Sequence, residues 1–586
     1  MKKKLLSLLL AAALCLTLLG CQTQKPSTTP APEPEPAVPE VQEPQGTPAT
    51  ETENLVKLCK VWGYTKYMHP AFLLGKKDWD QELLKLIPQV RELTTAEEVN
   101  ALLHDWFVGL GEIDYGSRAP VGAWSTAKDE EKVAIADTSW TKDTSYLGEA
   151  LAADFAQFPE ALPNVSRKNA PVVFDALQLP VFDNEPEHDA AYDDPNFRLL
   201  GLFRMWNTVE YYFPYLHLMD RDWEAYLTEF IPLMLEGTDQ TSYETALISL
   251  AAHMQDSHVK ITEEEPYAAA LYDELFGRYI PPVPWLMAEG QLVVAGTAEG
   301  CPLEMGDVLL KINGTDVETL VQERGPYYSY NRDNIAPYLL RRTITRSQTA
   351  EIEVTVLRDG QEKVLTVAGT AETWKALESW PPEKSHQFLE GNIGLINPLL
   401  LEDGEGLSIM EEFQETDGII VDLRQYPNSA EMDYVLCLIP DTIPVITFAN
   451  PAQAVPGAYV KETYQLGYPS SGLQLNGGPY ANPVVVLINE VSISASETDA
   501  AMLGESENVT LIGSNTTGSN GDVVYLPLPG GLYLRFTSLG VYTPDGQQTQ
   551  RTGIAPDIRV EPTIQGIAEG RDEVLEAAVE YIKNAR

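Results

Sequence analysis

One stretch decides the fold of this chain: Val484-Val-Val-Leu-Ile-Asn-Glu-Val-Ser-Ile-Ser-Ala-Ser-Glu-Thr-Asp-Ala-Ala-Met502. Its apolar, β-branched first residues are typical of a buried strand, and its small and acidic later residues are typical of a helix start. Three serines, Ser492, Ser494 and Ser496, lie on the turn between them. A serine on such a turn can be exposed beside the free N–H groups of the helix, as a nucleophile and its oxyanion require. The same serines could instead merely cap the helix, and this stretch alone leaves both readings open.

The sequence around this stretch alternates between predicted strands and helices. The predicted elements are strands at 393–396, 418–424, 484–489 and 509–513 and a helix at 406–413. This alternation predicts an α/β core, in which ligand sites lie at the carboxyl ends of the strands. Arg424 and Ser494 both follow such strand ends.

Upstream, two segments of the chain repeat each other. The first contains Trp62, Tyr67, Pro70, Asp78-Trp79 and Ile87-Pro88, and the second contains Trp206, Tyr211, Pro214, Asp222-Trp223 and Ile231-Pro232. Each pair is separated by 144 positions (206 − 62), and both segments carry apolar residues at helical spacing. We therefore expect two related helical subdomains.

A histidine distinguishes the second copy from the first. His258 follows the second helical segment, in Gln255-Asp-Ser-His258, whereas the first copy has Asp114 at the matching position. One copy could thus serve as scaffold while the other carries chemistry. A histidine after a helix can also be purely structural, but with only 7 histidines in the chain few others compete as a general base near neutral pH.

A small β module is indicated by Cys301-Pro-Leu-Glu-Met-Gly-Asp-Val-Leu-Leu-Lys-Ile-Asn-Gly314. Strands are predicted at 308–312, 351–358 and 362–367, with tight turns at Asn313-Gly314 and Asp359-Gly360. The pattern resembles a PDZ domain, and such domains bind extended peptides at a sheet edge. The usual Gly-Leu-Gly-Phe loop is replaced by Pro281-Pro-Val-Pro-Trp285, which disfavours capture of a free C-terminus.

The N-terminal sequence predicts export. A basic start precedes the apolar run 5–19, which is short for a membrane span. The run ends in Leu18-Leu-Gly-Cys21, which resembles a bacterial lipobox with Cys21 as the lipidated residue; an ordinary secretory signal is the alternative. We expect residues 1–20 to be a lipoprotein signal peptide and residues 21–52 a disordered tether rich in Pro, Thr and Glu. The protein would then be extracytoplasmic, lipid-anchored to a membrane of the bacterial cell envelope.

Composition excludes several classes of partner. The net charge of −46 over 586 residues repels nucleic acid phosphates, so nucleic acid is not expected as a partner. The cysteines at 59, 301 and 437 show neither a disulfide framework nor zinc spacing and are expected to be buried thiols. No sequence motif indicates a metal or another cofactor, and none is expected.

Three motifs link these pieces: Ser492-Ile-Ser-Ala-Ser-Glu497, Gly513 followed by Thr516-Thr-Gly518, and Gly553-Ile-Ala-Pro-Asp557-Ile-Arg-Val560. With the preceding modules, and over about 197–562, they resemble the C-terminal-processing (tail-specific) serine peptidase family, in its branch similar to the tricorn core protease. The resemblance implies a ClpP/crotonase-like α/β catalytic domain acting on extended or unfolded polypeptides. The expected multidomain α/β organisation is a first helical repeat with a mixed insert at 53–196, a second repeat at 197–277, a PDZ-like module at 278–370 and a catalytic domain at 371–586.

The resemblance also implies roles for individual residues. The family nucleophile lies three residues before Glu497, which is Ser494, and Ser492 and Ser496 become turn and cap residues. One branch places a lysine base where this chain has Ser519. The tricorn-like branch instead uses a histidine preceded by a serine. Ser257-His258 matches that pair, so His258 becomes the expected base and Ser257 the residue that orients its ring.

Two departures from the family pattern concern the supporting residues. The oxyanion hole would combine the Ala495 N–H with a backbone N–H after strand 418–424, but Asn428 and Ser429 occupy the positions where glycine is expected. Asparagine tolerates left-handed backbone better than most residues, so the hole could survive. The acid of the tricorn-like site is replaced by Gln550, which could hydrogen-bond the Ser257 hydroxyl but carries no charge.

Two further functions remain beside the peptidase. The missing glycines and acid favour a catalytically inactive peptidase fold that binds peptides or other ligands, whereas Ser494 and His258 favour the enzyme. A general ester hydrolase is disfavoured because the serine turn lacks a Gly-x-Ser-x-Gly elbow.

Overall fold

The predicted duplication is present as two sets of three helices. The first set, with a short extra helix, comprises α1 (Glu51–Met68), α2 (Pro70–Leu73), α3 (Trp79–Arg91) and α4 (Ala96–Gly109). Between the sets lie α5 (Gly122–Thr126), β1 (Lys132–Ala134), α6 (Thr144–Phe155), β2 (Val173–Phe174) and β3 (Pro180–Val181). The second set comprises α7 (Pro195–Tyr212), α8 (Trp223–Glu236) and α9 (Gln240–Ala252). Helices α7, α8 and α9 begin 144 residues (195 − 51) after α1, α3 and α4, which confirms the repeat.

The two copies share their capping and their tryptophan contacts. A side chain that accepts backbone N–H bonds precedes every helix of both sets: Thr50, Asp78 and Thr95 in the first and Asp194, Asp222 and Asp239 in the second. Each such cap typically stabilises a helix by about 1 kcal/mol. The Trp62 Nε1–H donates to the Trp79 carbonyl at 2.9 Å, and the Trp206 Nε1–H donates to the Trp223 carbonyl at 3.0 Å. The sequence repeat therefore preserves one local packing unit.

Both helical copies pack into one hydrophobic core rather than into two separate ones. A close contact between the two copies accounts for one difference in their sequences. Gly63 of the first copy lies against Asn207, which is its own counterpart in the second copy. A Cβ at position 63 would lie 1.7 Å from the Asn207 side chain, so only glycine fits there. The expected boundary between 196 and 197 is therefore not a boundary between cores.

The next region contains a six-stranded β module. In chain order, the elements of this region are β4 (Lys260–Thr262), α10 (Ala270–Phe276), β5 (Trp285–Ala288), β6 (Gln291–Val294), β7 (Val308–Ile312), β8 (Thr315–Asp316), α11 (Val317–Arg324), α12 (Arg341–Ile344), β9 (Glu351–Arg358) and β10 (Gln361–Ala368). Strands β10-β9-β7-β6-β5 form the sheet in that order, with β8 paired to β7, while β4 belongs to another sheet. Asn313 and Gly314 both have positive φ, 48° and 79°, as the predicted tight turn between β7 and β8 requires.

The remainder of the chain is built on a mainly parallel sheet. Its strands and helices are β11 (His386–Leu389), β12 (Ile393–Ile396), α13 (Gly406–Glu412), β13 (Gly418–Asp422), α14 (Asp433–Leu438), β14 (Ile443–Pro451), β15 (Ala458–Leu466), α15 (Tyr468–Ser471), β16 (Val484–Ile488), α16 (Ala495–Gly504), β17 (Val509–Gly513), β18 (Val523–Leu528), β19 (Leu532–Thr537), β20 (Gly540–Tyr542), β21 (Ile558–Arg559), α17 (Ile564–Ala568) and α18 (Glu573–Asn584). Its strand order is β11-β12-β13-β16-β17-β21, parallel from β12 onward. The predicted α/β core is therefore present, and the serine turn follows its central strand β16.

A smaller sheet joins the second helical set to this core. Strand β4, just after His258, pairs antiparallel with β19, which also pairs with β18. Elsewhere, β1 of the insert pairs with β15. The computed structural model describes residues 46–116, 122–163, 168–262, 270–332, 340–371, 382–428 and 432–585. Among these residues, none of the helices combines the length and the apolar character that crossing a bilayer needs.

Candidate active site

Ser494 sits on a strained turn between β16 and α16. Its backbone has φ 57° and ψ −116°, a conformation that costs a non-glycine residue on the order of 1–3 kcal/mol. Its backbone N–H donates to the Ser519 carbonyl at 3.0 Å, and its side chain makes no capping bond although it is the N-cap residue. The half-buried hydroxyl of Ser494 is therefore not consumed by the helix, in contrast to the capping interpretation.

The two neighbouring serines fasten this turn to the strand β13 region. The buried Ser492 hydroxyl donates to the Leu423 carbonyl at 2.8 Å and accepts the Asn489 N–H at 3.1 Å. The Ser496 hydroxyl donates to the Gln425 carbonyl at 3.3 Å. Both hydroxyls thus serve the local structure, whereas the Ser494 side chain has no hydrogen bond to any of the residues that the structure describes.

His258 reaches the α/β core through the pairing of β4 with β19. Its backbone N–H donates to Asp256 Oδ1 at 3.0 Å, and its ring Nδ1 lies 3.0 Å from Thr537 Oγ1. Burial lowers the pKa of His258 to about 4, although the charge of Asp256 acts in the opposite direction. The ring is therefore neutral near pH 7, the state in which an imidazole can accept a proton.

Ser519 connects the segments of His258 and Ser494. Its Oγ accepts the Ser257 backbone N–H at 2.9 Å, and its carbonyl accepts the Ser494 backbone N–H at 3.0 Å. Within the described chain no hydrogen bond joins the Ser494 hydroxyl directly to the His258 ring. Ser519 thus hydrogen-bonds both to the backbone of Ser494 and to the backbone of Ser257, the residue before His258.

Glu497 holds the loop that carries Ser519. Its buried carboxylate accepts the backbone N–H groups of Gly518 and Ser519, each at 2.8 Å, and the Thr516 hydroxyl. Burial raises the pKa of Glu497 to about 7 in spite of these donors. The acid of the serine turn is therefore a structural anchor.

The predicted hydrogen bond between Gln550 and Ser257 is not formed. Gln550 Oε1 instead accepts the Asn520 N–H at 3.3 Å, and both Gln550 Nε2 and Ser257 Oγ are buried without a partner in the described chain. Ser257 contacts Ser519 through its backbone and makes no side-chain bond to the His258 ring. The expected orienting role of the Ser257 hydroxyl is thus not visible in this arrangement.

One predicted oxyanion donor is free and another is engaged. The Ala495 N–H, in the first turn of α16, has no acceptor in the described chain. The Asn428 N–H donates to the Pro398 carbonyl at 2.9 Å, and its Nδ2–H donates to the Leu401 carbonyl at 3.2 Å. In this conformation the Asn428 N–H is therefore not available to a substrate oxygen, and its oxyanion role stays a prediction. Ser429 and the predicted lipidation site Cys21 lie outside the described residues.

Two residues at the site escaped the sequence analysis. Asp256 and Thr537 contact His258, and both are fully buried. Asp256 could have been found, since it stands two residues before His258 in the motif that was already singled out. Thr537 gives no local signal, because it is 279 residues away in sequence and reaches His258 only through strand pairing.

Comparison with known proteins finds sequence similarity in the region around this site. Residues 402–560 match the model of Peptidase family S41. The carboxy-terminal-processing protease of Bartonella bacilliformis is 39% identical over 93 residues, which are 16% of this chain and 21% of that protein. The carboxy-terminal processing protease CtpA of Bacillus subtilis is 37% identical over 79 residues, 14% of this chain and 17% of that protein. The chain thus spans about a fifth of the length of these curated relatives.

The wider fold is similar to that of one solved structure. Mature CPAF complexed with lactacystin superimposes with a TM-score of 0.51 at 13% identity, covering 67% of this chain and 99% of the other. At this identity the similarity concerns the fold alone. The sequence matches, in contrast, are to proteins named as C-terminal-processing proteases, and the S41 match includes Ser494, Ser519 and Gln550.

Proposed function

We propose that this protein is a serine peptidase that cleaves extended or unfolded polypeptides through an acyl-enzyme on Ser494. The observation that carries the proposal is the bridge at Ser519, which ties the strained Ser494 turn to the segment of a neutral, buried histidine. The family match of residues 402–560 supports the same chemistry. A Ser-His pair of the tricorn-like type fits this chain better than a Ser-Lys pair, because residue 519 is serine.

The proposed reaction is acyl transfer. The Ser494 Oγ attacks the peptide carbonyl carbon while His258 Nε2 takes its proton, and the new C–O bond leaves a negative charge on the carbonyl oxygen. The free Ala495 N–H is the proposed donor to that oxygen. His258 then returns the proton to the amine as the C–N bond breaks, and water hydrolyses the ester by the same steps.

A peptide-binding role for the β module fits this proposal. Strand β5 forms one edge of the module's sheet, and Leu286 in β5 lines a small cavity together with Arg424 and Asn489, at the carboxyl ends of β13 and β16. A PDZ-like module in this position would deliver an extended peptide near the serine turn. We likewise propose that the catalytic part is ClpP/crotonase-like and that export with a lipid on Cys21 gives an envelope location.

The second candidate is a catalytically inactive peptidase fold that binds peptides. Two observations favour it: the Asn428 N–H is engaged by Pro398, and Ser494 and His258 make no direct hydrogen bond. Apo sites often have loose catalytic geometry that tightens with substrate, so these observations do not decide against the enzyme.

A fluorophosphonate probe distinguishes the two candidates, because it reacts only with an activated serine. Wild-type protein should be labelled, and Ser494→Ala should not be labelled. The labelling rate of His258→Ala should be lower than that of the wild type by a factor of about a hundred or more. His217→Ala is the matched control, since this exposed histidine lies away from Ser494 in sequence and its ring Nε2 is 3.3 Å from Gln548 Oε1. Folded wild-type protein that binds peptides but resists the probe would establish the inactive binding protein instead.

A further inference from the structure

A buried chain of hydrogen bonds ends on the ring of His258. Thr537 Oγ1 donates to Asp256 Oδ2 at 2.5 Å and lies 3.0 Å from His258 Nδ1. Asp256 and Thr537 are 0% exposed and His258 is 2% exposed. Since β4 and β19 pair Lys260 with Arg535 and Ile261 with Leu534, continuing the same register sets Thr537 opposite His258. His258 itself lies on the turn just before β4, so the sheet brings this turn close to Thr537 at the end of β19.

The number of protons shared among Asp256, Thr537 and His258 fixes the tautomer of the histidine. A carboxylate can only accept hydrogen bonds, and a threonine hydroxyl has a single proton to donate. Because that proton is donated to Asp256, Thr537 Oγ1 must accept from His258. The neutral ring therefore carries its proton on Nδ1, and its Nε2 keeps the lone pair that a general base needs.

Two further hydrogen bonds hold Asp256 in the position from which it accepts the Thr537 proton. Its carboxylate also accepts the His258 backbone N–H at 3.0 Å, and its own N–H donates to Ser329 Oγ at 3.0 Å. The hydrogen bonds predicted from His258 through Ser257 to Gln550 are not formed, because Ser257 Oγ and Gln550 Nε2 are both buried without partners in the described chain. Gln550 also has no charge to support an imidazolium.

We propose that Asp256 and Thr537 are positioning residues that hold His258 as the Nδ1–H tautomer, and that Asp256 supplies the acid missing at Gln550. The inference rests on the proposed function, in which His258 is the base for Ser494. Asp256 acts through Thr537, with its nearer oxygen 3.6 Å from Nδ1, rather than by a direct bond to the ring.

Two substitutions disrupt the hydrogen bonds among Asp256, Thr537 and His258 in different ways. In Asp256→Asn an amide N–H can donate to Thr537, so the threonine proton turns to His258 Nδ1 and the ring proton moves to Nε2. In Thr537→Val the chain is interrupted but the charge of Asp256 stays. Thr537→Ser keeps the hydroxyl and should restore function. Ser538→Ala is the matched control, because the neighbouring Ser538 hydroxyl is buried and has no hydrogen-bond partner in the described chain.

The rate of Ser494 phosphonylation as a function of pH tests the proposal on the full chain. Asp256→Asn and Thr537→Val should slow labelling about a hundredfold or more, while Thr537→Ser and Ser538→Ala stay near the wild-type rate. The charged groups facing His258 are Asp256, Lys260 and Arg535. Since Asp256 raises the pKa of His258, its removal should shift the acid limb of the profile to lower pH, and Thr537→Val should shift it less.

The tautomer itself is visible by nitrogen-15 NMR with labelled histidine, since the chain has only 7 histidines to assign. Wild-type His258 should show a protonated Nδ1, and Asp256→Asn should show a protonated Nε2. Wild-type labelling rates in folded Asp256→Asn and Thr537→Val, or a protonated Nε2 in the wild type, would overturn the inference. Labelling that persists in Ser494→Ala would instead refute the proposed function.

Discussion

At the scale of single residues, the backbone of Ser494 is the feature with the clearest energetic consequence. Its φ of 57° is unfavourable for any residue with a Cβ and readily adopted by glycine. We expect Ser494→Gly to have a free energy of unfolding about 1 kcal/mol higher than Ser494→Ala, because both lack the hydroxyl and only glycine relieves the strain. Urea unfolding of the two variants measures the difference.

The neighbouring Ser496 provides the control for this comparison. It lies in the first turn of α16 with helical backbone, so glycine there should be less stable than alanine by about 0.5–1 kcal/mol. The order of the glycine and alanine variants should therefore reverse between positions 494 and 496. The same order at both positions would show that the turn stores no strain at Ser494.

At the scale of secondary-structure elements, α16 buries an acid beside the nucleophile turn. Asp499 accepts the Tyr434 hydroxyl at 2.7 Å, and burial raises its pKa from 3.8 to about 7. The folded protein therefore binds a proton at Asp499 that the unfolded chain releases, and this contribution to stability is lost as the pH rises from about 4 to about 7. The expected slope is about 1.4 kcal/mol per pH unit over that window.

Asp499→Asn removes this titration and keeps an acceptor for Tyr434. We expect the free energy of unfolding of the variant minus that of the wild type to increase as the pH rises from about 4 to about 7, and to be largest above pH 7. Urea unfolding at several pH values measures the two profiles. The exposed Asp441 gives the control Asp441→Asn, which should follow the wild type. Parallel profiles for Asp499→Asn and the wild type would show that Asp499 does not titrate as expected.

The elements that could be predicted from the sequence are those fixed by local signals. Strands 308–312, 351–358 and 509–513 have the predicted bounds, because turn residues and alternating apolar residues mark both ends. The duplicated helices were equally predictable from their repeated tryptophans and prolines. The strand β1 of the insert was not, since it is held by pairing with the distant β15 rather than marked by a pattern of its own.

The same distinction separates the parts of the candidate site. Ser494 and His258 stand in recognisable motifs, but the partner of each depends on distant chain. Thr537 bonds to Asp256 across 281 positions, and the Asn428 N–H is taken by the Pro398 carbonyl on another loop. Such contacts follow from how the sheets are assembled, which a single sequence does not record.

At the scale of the whole molecule, the duplication creates two related charge pairs between the helical copies. Arg204 of α7 bonds to Asp80 of α3, and their counterparts 144 positions away, Lys60 and Glu224, also bond to each other. The first pair is buried, with side chains 1% and 0% exposed, whereas Glu224 is 44% exposed. Glu185 of the insert closes the buried side, 2.6 Å from Lys66 and 3.2 Å from Arg204. The insert thus adds a second acid, Glu185, to the buried Asp80–Arg204 pair.

The two pairs give a matched test of what burial does to an ion pair. Asp80→Asn should lower the free energy of unfolding by about 3–5 kcal/mol, because it leaves two buried cations, Arg204 and Lys66, with only the Glu185 carboxylate between them. Glu224→Gln, at the equivalent position of the second copy, should cost less than about 1 kcal/mol, because the Glu224 side chain is 44% exposed and its carboxylate is already solvated by water. Thermal and urea unfolding of both variants measure the difference. Equal losses would mean that burial of the Asp80 side does not make its ion pair more costly to break than the Lys60–Glu224 pair.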